Sequence, residues 1–86
     1  MDAEKIAAAE AVLSEFPVWT RNVDGSERLV ESKPAKMVAL MDPSYYCQQY
    51  GLPERVRMFP LDMKAVLSEN ELDELYAYAL AGEWPA

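Results

Sequence analysis

A chain of 86 residues leaves room for one hydrophobic core, and a domain this short buries only about 60% of the surface its unfolded form exposes. With 51% hydrophobic and 27% charged residues it has the composition of a folded globular domain, and no apolar run approaches the ~20 residues that span a bilayer. The formal charge of −7 disfavours adhesion to nucleic acid or to anionic membranes.

The first expected element is a helix over residues 3–16. Ile6, Ala9, Leu13 and Phe16, with Val12 beside them, make one apolar stripe; Asp2 is placed to cap it and Pro17 to stop it. Glu4, Lys5, Glu10 and Glu15 thread this segment, which argues against a signal peptide. Next, Asn22-Val23-Asp24-Gly25 reads as a type I turn closed by glycine at positive φ, a three-residue hairpin loop. That register sets Trp19 opposite Leu29, Arg21 opposite Glu27 and Val18 opposite Val30. A two-residue loop would instead oppose Arg21 and Arg28, where like charges repel.

Residues 32–36 read as a connector with Pro34, and Met37 to Met41 as a short, continuously apolar buried strand. Asp42 and Pro43 then begin, and Gly51 and Pro53 end, an expected two-turn helix over residues 43–50. Its letters Tyr45-Tyr46-Cys47-Gln48-Gln49-Tyr50 resemble the end of an antibody kappa light-chain variable domain. That fold needs a partner cysteine upstream, a core tryptophan between the two and about seven strands, so the likeness is accidental.

Residues 54–60 alternate, with Val56 and Met58 on one face and Arg55 and Arg57 on the other, as a half-exposed strand would. Residues 62–67 have room for one helical turn. Ser68 to Glu71 spells a capping box, with Leu67 able to staple onto Leu72. The final helix is expected over residues 69–81, with Leu72, Leu75, Tyr76, Ala79 and Leu80 inward and Gly82 closing it. The order is α-β-β-β-α-β-α. It describes one small α+β domain over residues 1–86, with a three- or four-stranded sheet packed against the terminal helices.

Catalytic signals are missing. The chain has no His, so general acid–base work lacks its usual agent and a nucleophilic Cys47 would lack its base. Glycines stand only at 25, 51 and 82, each with a turn or cap role, so no phosphate-cradling loop forms. The lone Cys47 excludes an internal disulfide and leaves no zinc ligand set. The expectation is a cytosolic, non-enzymatic protein without metal or cofactor.

Two binding classes remain. Residues 65–86 hold five acids and no Lys or Arg, while residues 21–64 hold seven of the eight basic residues. On the last helix Asp73, Glu74 and Tyr78 fall off the apolar stripe, and Trp84 follows in the tail as either a further aromatic anchor or a lid folded back on the core. An exposed tyrosine among carboxylates suits an interface with a basic protein. This reading makes the chain an inhibitor, adaptor or accessory subunit, of the kind found in phages and bacteria. The competing reading is nucleic-acid binding, with Arg55 and Arg57 on one strand face, Lys33 and Lys36 on the connector, and Tyr45, Tyr46 and Tyr50 to stack on bases.

Overall fold

The computed structural model describes residues 1–42 and 54–85. Helix α1 spans Ala3–Ser14, two residues shorter than expected. The Asp2 side chain accepts the Lys5 N–H at 2.9 Å, filling one of the orphan donors of the first turn. Its stripe of Ile6, Ala9, Val12 and Leu13 is buried.

Strands β1 (Trp19–Arg21) and β2 (Glu27–Leu29) form the expected hairpin, in the expected register: Trp19 faces Leu29 and Arg21 faces Glu27. The Gly25 N–H donates to the Asn22 carbonyl at 3.0 Å, closing the turn, and Gly25 has φ 88°. Hydrogen bonds from Ser26 to Asp24 and from Arg28 Nε to Asn22 Oδ1 (2.9 Å) brace the loop. The Ser26 donors hold the Asp24 carboxyl below its ordinary pKa.

The expected strand at residues 37–41 is a helix. Helix α2 spans Lys33–Met41, capped by the Ser32 side chain, with Pro34 in its first turn. Ser32 and Pro34 act here as helix-start signals. A short apolar run has no period of its own, and burial here recurs at helical spacing, with Met37 and Leu40 fully enclosed and Val38 half-buried.

The expected strand at residues 54–60 is helical too. Glu54–Met58 forms a 3₁₀ helix that runs into helix α3, Phe59–Lys64. With about three residues per turn, Val56 and Phe59 fall together on the inner side, whereas Met58 is 50% exposed. Val56 and Met58 therefore do not share a face, and Pro60 serves a helix start instead of a strand end. The helical turn expected from Asp62 begins three residues earlier.

Helix α4 spans Glu69–Leu80 and begins as read. The Ser68 N–H donates to Glu71 Oε1 at 2.8 Å, and the Glu71 N–H to Ser68 Oγ at 3.2 Å. Leu67 and Leu72 are both buried, as the staple requires. At the far end Gly82 has φ 74°, and the Glu83 N–H returns to the Tyr78 carbonyl at 2.9 Å, a Schellman closure. Leu80, expected inward, is 61% exposed, because it lies at the edge of the stripe set by Leu72, Leu75 and Ala79. Ser68→Ala is expected to cost ~1 kcal/mol, against less than ~0.5 for Glu74→Ala on the solvent side, both read by urea unfolding.

The architecture is mixed α and β, but helices dominate. Among the described residues there are four α-helices, the 3₁₀ helix and a two-stranded sheet. The expected third and fourth strands are helical, so the terminal helices do not cover a broad sheet. Instead α2 lies against α1, α3 and α4, and Phe59, Met37, Leu40, Met63 and Leu75 fill the centre. The Phe16 and Phe59 rings meet edge-to-face, centroids 5.3 Å apart. The hairpin sets Val18 and Thr20 inward beside Ala35 and Ala39 of α2. The helix expected over residues 43–50, with Cys47 and Gly51, lies outside the described residues.

Candidate protein-binding face

The residues singled out on the last helix sit on α4, whose inner stripe is anchored by Leu72, Leu75 and Ala79. With one side held in the core, the helical period turns Asp73, Glu74 and Tyr78 outward, and all three are exposed. Tyr78 lies one turn beyond Glu74, about 40° around the axis, so these two are neighbours. Asp73 lies about 100° to the other side of Glu74. There it lines a shallow groove with Met41, Pro60 and Lys64. The face is a band: carboxylate, carboxylate, aromatic.

Two carboxylates of α4 have cationic neighbours. Glu74, half-exposed, is 3.9 Å from the amino group of Met1. Glu71 turns inward along the band, between the Ser68 cap and Lys5 Nζ at 3.7 Å. The Ser68 backbone N–H is the main reason that the Glu71 carboxyl titrates below its ordinary range. Tyr78 is 37% exposed.

Trp84 is not brought onto this band. The tail folds back on α1, and the Trp84 indole N–H donates to Glu10 Oε2 at 3.1 Å. Lys33 pairs with the same carboxylate, and these contacts, led by Lys33, hold Glu10 below its ordinary pKa against the opposing effect of burial. Trp84 packs partly buried against the core and, with Pro85, borders a groove along Ala3, Ile6 and Ala7. This is the position against the core that the lid reading describes.

Of the residues of the nucleic-acid reading, Lys33 and Lys36 lie on α2 and Arg55 and Arg57 on the 3₁₀ helix. Arg55 and Arg57 belong to the 3₁₀ helix and have no strand face to share. Lys33 is engaged by Glu10, and Lys36 Nζ donates to the Leu13 carbonyl at 2.7 Å, where burial lowers its pKa. Tyr45, Tyr46 and Tyr50 lie outside the described residues. Among the described residues no group of His, Cys, Asp and Glu has metal-binding geometry, and no helix is long and apolar enough to cross a membrane.

One surface escaped the sequence reading. Trp19 and Leu29, paired across the hairpin, are 40% and 43% exposed on its outer side. The signal was present: with Val18 and Thr20 inward, strand alternation turns Trp19 and Arg21 out.

Comparisons of the chain with protein-family models, with curated proteins and with solved structures return no match.

Proposed function

We propose that the chain is a small protein-binding module of the cytoplasm, an inhibitor, adaptor or accessory subunit without catalytic activity. Its partner presents a basic surface to α4. The observation that carries this reading is the exposed band of Asp73, Glu74 and Tyr78 on one helix whose opposite side is locked in the core. Carboxylates on such a rigid helix steer a cationic partner, and a half-exposed tyrosine supplies desolvated contact area at little entropic cost. The lack of His supports a non-catalytic role.

The two contributions separate in kinetics. Asp73→Lys with Glu74→Lys is expected to slow association about tenfold and flatten its salt dependence. Tyr78→Ala is expected to act on dissociation, at a cost of about 1–2 kcal/mol. The measurement is capture of host proteins on the immobilised chain, followed by both rate constants for the retained partner. Glu4→Lys with Glu31→Lys makes the same charge change elsewhere and serves as the control. If the control weakens binding as much as the α4 reversal does, the band is not the site and its acids serve solubility.

A further inference from the structure

The hairpin has two free edges, and their residues differ in what they can pair with. The Asn22 N–H donates to the Ser26 carbonyl and the Val30 N–H to the Val18 carbonyl, both at 2.8 Å. In an antiparallel ladder such bonded pairs alternate with unbonded ones, so Trp19, Arg21, Glu27 and Leu29 point their N–H and C=O groups away from the hairpin. Among the described residues nothing bonds to these groups. Trp19 and Arg21 form one open edge and Glu27 and Leu29 the other.

A second copy of the chain can add to either edge about a two-fold axis, which restricts each edge to a few registers. On β2 every register opposes like charges. Centred on Glu27 it sets Glu27 against itself, centred on Arg28 it sets Arg28 against itself, and centred on Leu29 it carries Glu27 to Glu31. On β1, centring on Arg21 opposes two guanidinium groups, and centring on Trp19 places Pro17, which has no N–H, opposite Arg21. The register centred on Thr20 is different. Trp19 of each copy then faces Arg21 of the other in a bonded pair, and Thr20 faces Thr20.

We propose that the chain self-associates through its β1 edges in this register, forming a four-stranded antiparallel sheet across the two copies. Trp19 and Arg21 occupy the same outer face, so the guanidinium of one copy lies on the indole of the other. Each row across the new sheet reads Leu29, Trp19, then Arg21 and Glu27 of the second copy: apolar beside aromatic, cation on aromatic, acid beside cation. About four backbone hydrogen bonds join the edges. The Trp19 and Leu29 surface, exposed in one copy, thereby gains a complementary neighbour. Strands of three residues bury little area, so the dimer belongs to the weak, exchanging class.

The test uses the full chain, with sedimentation equilibrium and residue-resolved amide hydrogen exchange from micromolar to millimolar concentration. A monomer–dimer equilibrium is expected, with the Trp19 and Arg21 amides slowing about tenfold as dimer forms while Glu27 and Leu29 exchange unchanged. The double swap Arg21→Glu with Glu27→Arg keeps opposite charges across each hairpin but removes the cation from the indole. Its dimerisation is expected to weaken about tenfold, with the hairpin amides of Thr20 and Arg28 still protected. The proposal is overturned if the chain stays monomeric at millimolar concentration, or if the swap associates as tightly as the parent chain. A dimer with Trp19 and Arg21 unprotected, or with protection at Glu27 and Leu29 instead, also overturns it. So does protection of the β1 edge that appears only when a different protein is added.

Discussion

Phe59→Ala is expected to remove about 3–5 kcal/mol of stability, the largest effect of any single truncation among the described residues. Phe59 is fully buried and meets Phe16 edge-to-face, so alanine leaves a cavity and also deletes an aromatic pair. A domain of 86 residues is stable by only about 4–13 kcal/mol, so the variant should sit near its unfolding threshold. Thermal unfolding should shift down by roughly 15–30 °C. The companion change decides the geometry. Met58→Ala, at a half-exposed position, should cost less than ~1 kcal/mol. Were residues 54–60 a strand with Val56 and Met58 inward, Phe59 would face out and the two costs would be exchanged.

Leu40→Ala is expected to cost about 2–5 kcal/mol, while Val38→Ala costs less than ~1. Leu40 is enclosed between the helices, whereas Val38 is half-buried on α2, where alanine also recovers part of the β-branched residue's helix penalty. Urea unfolding of the two variants separates helix from strand here. In a central strand both side chains would be enclosed and valine would be the favoured residue, so equal losses would contradict the helix.

The proposed binding face and the proposed β1 edge lie on different elements, and the changes that test them do not overlap. Reversing Asp73 and Glu74 alters α4 alone. Exchanging Arg21 and Glu27 alters the hairpin alone. A partner that binds the α4 band as tightly after the hairpin swap would show that self-association and partner binding are independent.

What was legible in the sequence was local. The α1 cap at Asp2, the hairpin register, the Ser68–Glu71 box and the Gly82 closure each rest on contacts within a few residues, and each stands in the structure. The outward placement of Asp73, Glu74 and Tyr78 follows from the same short-range logic, since the period of α4 is set by its own stripe. The two strands that became helices mark the boundary. Met37 to Met41 is apolar throughout, so its side chains carry no period, and only packing against α1, α3 and α4 on different sides shows why every one of them is useful in a helix. In residues 54–60 the alternation of Arg and apolar residues imitates a strand, yet a 3₁₀ turn places Val56 and Phe59 together and lets Met58 point to water. Trp84 is a tertiary matter as well: its indole is drawn to α1 by Glu10, a residue 74 positions away, which no local signal connects to it. Caps and turns are settled by neighbours along the chain. The choice between helix and strand for a short apolar segment, and the resting place of a tail, are settled by what lies across the core.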